Sequence, residues 1–165
     1  MGVNPSSLKA NALWQKDVTH ISWFRKLAFV HVTVDTFSYV IIATAHTGKA
    51  VKDVIQHLFT CFSYLGLPKA LKTDNAPAYT FKSFQKFCTK LQIKHNTGVP
   101  YNLKGQAIVE RAHQTLKTQI QKLKEGKFKY SSPHQVLQHA LFIINNLNTD
   151  SSEPLQSFII GARSN

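Results

Sequence analysis

Acidic residues are scarce in this chain: 8 Asp and Glu stand against 20 Lys and Arg, for a net charge of +12 at neutral pH. Such a surface repels cationic partners and attracts polyanions, nucleic acid foremost. Cysteine is scarce as well. Cys61 and Cys88 are too few for a disulfide framework, and both fall in apolar helical patterns, so they are expected to be buried thiols. The eight histidines and two cysteines include no zinc-ligand motif such as C-x2-C, which argues against zinc in this fragment. No apolar run approaches the roughly 18 residues that cross a bilayer. The first fifteen residues lack the apolar stretch of a signal peptide, so neither membrane nor secretion is expected.

What is present suits one compact domain. The chain has 165 residues and is 43% hydrophobic, enough for a real core. Residues 1–12 read as a polar linker, 13–150 as the domain, and 151–165 as a tail of uncertain structure. Strands are expected over Leu13–Ile21, Ala28–Val34 and Tyr39–Ala45, the last two joined by the short link Asp35-Thr36-Phe37-Ser38 and therefore antiparallel. The period then changes. Val51, Val54, Ile55, Leu58, Phe59, Phe62 and Leu65 recur at helical spacing, and Gly66-Leu67-Pro68 ends the helix. A crossover helix delivers the next strand, Ala70–Thr73, parallel to the first. A helix near Lys82–Leu91, a short strand at Ile93–Thr97, and helices over Ala107–Lys124 and His134–Leu147 complete the order. The last helix is apolar over most of its circumference, so it must be buried or covered by another subunit. A mixed five-stranded sheet flanked by helices follows, an α/β fold.

With so few acids, each one demands a reason. Asp53, Glu125, Asp150 and Glu153 stand in polar or helix-end contexts where solvation is a sufficient explanation, and Asp35 suits a turn. Three others are harder to explain. Asp17 sits inside a strand, where Asp is disfavoured. Asp74 directly follows a parallel strand, where ligands of α/β sheets gather. If their strands are neighbours, the two carboxylates face one point and raise each other's pKa, a conflict that a divalent cation removes. Glu110 joins them from the long helix, sharing a face with Lys117, Gln121 and Lys124; Lys117 is two turns on, about 10 Å along the axis. Alone, Glu110 reads as an acid welcomed near a helix N-terminus.

These residues resemble the retroviral integrase catalytic core. The resemblance is carried by Trp14-Gln15-x-Asp17-Val18-Thr19-His20, Val32-x-Val34-Asp35-Thr36, Lys72-Thr73-Asp74-Asn75, Pro100-Tyr101-Asn102 and Gln106-x-x-Val109-Glu110-Arg111, with 35 residues between Asp74 and Glu110. It covers roughly residues 13–147 and looks most like the betaretroviral branch, endogenous copies included. It implies a ribonuclease-H-like fold with sheet order 3-2-1-4-5, a homodimer of cores within a higher multimer, and a DNA strand-transferase and endonuclease. It also implies two Mg²⁺ (or Mn²⁺) ions per working site, held by Asp17, Asp74 and Glu110. Thr19, His20, Asn75, Tyr101, Gln106, His113, Gln114 and Lys117 match positions that line the site or approach viral and host DNA. The implied setting is the virion and the cytoplasm and nucleus of the host cell.

The chain departs from the family pattern at Ala76, where Gly is common, and at Leu103 and Lys104, where Pro and a polar residue are usual. The family's zinc-binding N-terminal domain and β-barrel C-terminal domain have no counterpart in this sequence, and full activity is expected to need them. The alternatives are a catalytically impaired endogenous or domesticated remnant that keeps DNA binding and dimerisation, or a ribonuclease H or transposase on the same fold. A ribonuclease H would normally show a fourth acid, and none is well placed.

Overall fold

The computed structural model describes residues 9–98 and 106–147. Tyr101 and the departures at Leu103 and Lys104 lie outside them, as does the tail 151–165. Five strands form one sheet: β1 (Leu13–His20), β2 (Phe29–Asp35), β3 (Ile41–His46), β4 (Ala70–Thr73) and β5 (Lys94–Thr97), in the order β3-β2-β1-β4-β5. β1, β2 and β3 run antiparallel, whereas β4 and β5 run parallel to β1. The helices are α1 (Val51–Leu65), α2 (Pro77–Thr80), α3 (Lys82–Lys90), α4 (Ala107–Glu125) and α5 (Pro133–Asn146).

Alternation along the strands sends side chains into two cores. Val30, Val32 and Val34 of β2 join Ala43 and Ala45 of β3 against α4 and α5, through Leu116, Ile120, Leu137 and Ile143. On the other face Trp14, Ile42 and Leu71 pack under α1 with Val54, Leu58 and Cys61, and toward α2 and α3 with Tyr79 and Phe84. The sheet is thus sandwiched between two helical layers. Both cysteines are buried and free, as their apolar settings suggest, and burial pushes the Cys61 thiol up to about 12.

Asp53 is not explained by solvation. It is buried at the start of α1, where its Oδ2 accepts the Ala50 N–H at 3.1 Å and its Oδ1 lies 3.7 Å from His46 Nδ1. A helix's first turn leaves N–H groups without partners, and a carboxylate there satisfies one. Asp35 does close a turn, accepting from Ser38 N–H and Oγ and from Asn11 N–H.

Periodicity does not foretell two segments: α2, a single turn with Pro77 at its start, and a 3-10 segment, Ser22–Leu27, between β1 and β2. Within the latter Arg25 has φ 56° and ψ −113°, a conformation that side chains with a Cβ rarely adopt. Holding it costs on the order of 1–3 kcal/mol. Replacing Arg25 by Gly is therefore expected to raise the unfolding free energy by about 1 kcal/mol after the entropy of the unfolded glycine is subtracted. A urea titration reads this directly; an unchanged or lower midpoint would count against strain at Arg25.

Candidate active site

Ladder pairing between β1 and β4 couples Leu13 to Ala70, Trp14 to Leu71 and Gln15 to Lys72. Asp17 and Asp74 lie just beyond this ladder, at the carboxyl end of β4. Both line one open pocket of about 390 Å³, together with Thr19, His20 and Lys49. Asp74 Oδ1 accepts the Ala76 N–H at 2.9 Å, the bond that turns the chain into α2. Asp17 is half-buried, and its Oδ1 accepts the Val18 N–H at 2.8 Å.

Glu110 comes to the same face of the sheet. Gln15 and Asp17 are two residues apart on one strand and so point to the same side. Gln15 Oε1 accepts the Val109 N–H at 3.1 Å, in the first turn of α4. That bond satisfies one of the helix's unpartnered N–H groups and holds the first turn of α4, which carries Glu110, on the Asp17 side of the sheet. The electrostatics agree. Burial raises the Asp17 carboxyl to about 6; the Val18 N–H and Lys16 pull it down, while Asp74 and Glu110 push it up. Asp17 therefore lies within the field of both other acids.

Asp17 and Asp74 offer oxygen donors of the kind magnesium takes, and a divalent cation would offset their mutual repulsion. In these respects they fit the metal. They are not drawn into a finished cage. Among the described residues, no three His, Cys, Asp or Glu side chains stand close enough to hold an ion.

The other expected contact residues divide by exposure. His20, Asn75, Gln114 and Lys117 are exposed, Gln106 is half-buried at the start of α4, and Thr19 is buried. His113 is only 8% exposed and turns inward, apart from its helix neighbours Gln114 and Lys117. Burial first, then Lys117 and Lys16, lower its pKa to about 4.

Sequence patterns gave no notice of Lys16. It is fully buried on the opposite face from Asp17, with Nζ donating to Tyr79 Oη at 2.8 Å and lying 3.0 Å from His31 Nδ1. Burial brings its pKa down to about 7. Next to it lies a buried polar layer: His57 between Thr33 and Thr44, each at 2.7 Å, and His31 Nε2 donating to Gly48 O at 2.9 Å. The only sequence signal was the His and Thr positions that alternate with valine in β2.

The integrase core domain model matches residues 7–103. This chain belongs to that family. It is 56% identical over 151 residues to the Gag-Pro-Pol polyprotein of mouse mammary tumor virus (strain BR6), covering 92% of this chain and 8% of that polyprotein, so the chain spans a small part of its relative's length. The match bears out the betaretroviral resemblance. The fold is that of retroviral integrase cores. The simian T-cell lymphotropic virus intasome, solved with the PP2A regulatory subunit B56 gamma, superposes with a TM-score of 0.79 at 36% identity, over 89% of this chain and 52% of that one. The HTLV-2 integrase catalytic core domain, solved with magnesium in a dimeric form, gives 0.72 at 32% identity, over 88% and 94%.

Buried neutral histidines make the core's stability depend on pH. Burial lowers His31 to about 3 and His113 to about 4, below the 6.5 of a free histidine. As pH falls through 6.5 the unfolded chain takes up protons that the folded chain refuses, so stability drops. Asp17 opposes this, because its folded value of about 6 exceeds the unfolded 3.8 and folding gains as pH falls between them. These three groups together give an expected loss of about 3 kcal/mol from pH 7.5 to 5, and the buried His57, whose pKa burial also lowers, adds to it. Urea midpoints at the two pH values test it, and an equal or higher midpoint at pH 5 would refute neutral burial.

Proposed function

We propose that this core catalyses phosphoryl transfer on DNA, trimming viral DNA ends and joining them to host DNA, with Asp17, Asp74 and Glu110 as its metal-holding carboxylates. The observation that carries this reading is the meeting of Asp17 and Asp74 in one pocket while the Gln15–Val109 bond holds Glu110 to the same face. Glu110 is exposed in the first turn of α4, so its side chain has rotamer freedom to close on the other two. Two Mg²⁺ or Mn²⁺ ions, when bound, would stabilise charge on the reacting phosphate and activate the attacking water or DNA 3′-hydroxyl. The magnesium in the HTLV-2 core's structure supports that choice of ion.

The chain's own residues position the substrate. Lys49 at the pocket rim and Lys117 on α4 present cations to phosphates, and the exposed His20, Asn75 and Gln114 present hydrogen-bonding groups. Gln106 opens α4 beside them, and Thr19 lines the pocket floor. His113 is buried and its pKa is lowered by burial, so it is a weaker candidate for a phosphate contact than its exposed helix neighbours. Tyr101, outside the described residues, is proposed as a contact on sequence grounds alone. The transfer needs no covalent enzyme intermediate. The proposed sites of action are the virion and the infected cell's cytoplasm and nucleus. An intact set of three acids favours an active core over the impaired remnant.

Asp74→Asn is expected to cut Mn²⁺-dependent disintegration of a branched DNA at least about a hundredfold while circular dichroism and oligomeric state stay unchanged. Retained activity would remove Asp74 from the site.

The same reading includes a homodimer within a larger assembly. Phe142 on α5 and Tyr64 on α1 are exposed at 47% and 74%, and both line a groove of about 670 Å³ between β3, α1 and α5. Exposed aromatics around an apolar groove mark an interaction surface. Phe142→Lys is expected to shift the core from dimer to monomer in sedimentation velocity, and wild-type protein that stays monomeric at high concentration would overturn this surface.

A further inference from the structure

The chain contains two tryptophans. Trp14 is fully buried, whereas Trp23, in the 3-10 segment, is 38% exposed. The segment does not need Trp23 for its core contact, because Phe24 beside it is the buried residue. The Trp23 indole forms one wall of a cleft of about 250 Å³ whose other walls include Lys117, Gln121 and Lys124 of α4. Lys124 Nζ stands 5.3 Å from the centre of the Trp23 ring. None of the lining residues is acidic, and Glu125, one turn beyond Gln121, accepts a hydrogen bond from Gln121 Nε2 at 2.9 Å. His20 lines both this cleft and the pocket that holds Asp17 and Asp74, so the two are neighbours.

We propose that this cleft seats an unpaired nucleotide, its base stacked on Trp23 and its flanking phosphates on Lys117 and Lys124. The proposal rests on the reading that a DNA backbone passes the neighbouring carboxylates. An exposed indole offers a π-face that any base can use, and clustered lysines neutralise phosphates, which together make a site for single strands. A paired duplex hides its base faces, so two lysines alone would not select an unpaired base. An acidic peptide would satisfy the lysines and leave the indole without purpose.

The protein carries its own reporter, since Trp14 is shielded and Trp23 is not. Tryptophan emission is followed in EDTA during titration with a single strand of about 12 nucleotides, an abasic strand of equal length, a blunt duplex and a poly-glutamate peptide. The single strand is expected to quench and to bind about fivefold or more tightly than the other three. By fluorescence anisotropy of a labelled strand, Trp23→Ala removes this preference and Trp23→Phe keeps most of it. Equal binding of the abasic strand, equal binding of the peptide, or an unchanged preference in Trp23→Ala each overturns the stacking site. Asp74→Asn separates the two readings. It abolishes transfer if the carboxylate site is right, and leaves metal-free quenching intact if the cleft is right.

Discussion

Lys16 and Asp17 stand side by side in the central strand of the sheet, and alternation sends them to opposite faces. Each face must therefore accommodate an ionisable group at its middle, where burial penalises charge. On one side Lys16 is met by Tyr79 and His31, with donors and acceptors paired and its pKa lowered to about 7. On the other, Asp17 opens into a pocket with Asp74 and lies in the field of Glu110. The α1 side thus becomes a buried polar layer, and the α4 side opens into the pocket lined by Asp17 and Asp74.

This division explains how rigid and adjustable parts share one strand. The β1–β4 ladder ends at Gln15, just short of the two aspartates. Beyond it, position is kept by single bonds: Gln15 to the α4 N-terminus, Asp74 to Ala76, and Lys16 to Tyr79 on α2, the helix that follows Asp74. Glu110 is oriented by its helix, with its side chain in solvent. Asp17 is set in the sheet, Asp74 is tied by one bond beyond it and Glu110 stands on an exposed helical turn, so the three acids differ in how firmly they are held.

The basic surface follows the same geometry. Lys117, Gln121 and Lys124 line α4 on one side, and the 3-10 segment brings Trp23 against them. Positive charge is thereby concentrated in a groove that leads to the acids, where a polyanion's backbone gains most from it. On the far side of α4, α5 is partly buried and leaves Phe142 out, next to a groove shared with α1.

By itself the sequence determined the order of the strands and longer helices, the bounds of α1 and β4, the β2–β3 antiparallel and β1–β4 parallel pairings, and the family, because these follow from local periodicity, turn residues and short motifs. Acids are few, and among them Asp17 stood out inside a strand, where Asp is disfavoured, and Asp74 just past the end of a parallel one, where ligands gather. Tertiary structure alone decided what lies within reach of what. It buried Lys16 and Asp53, turned His113 inward, covered the His and Thr face of β2 with α1, and set Trp23 against Lys124 across about 100 residues of chain. Alternation fixes which residues share a face but not whether that face meets water or a helix. Hydrogen bonds such as Gln15 to Val109 join side chains to distant backbone, and no local pattern encodes such a pairing.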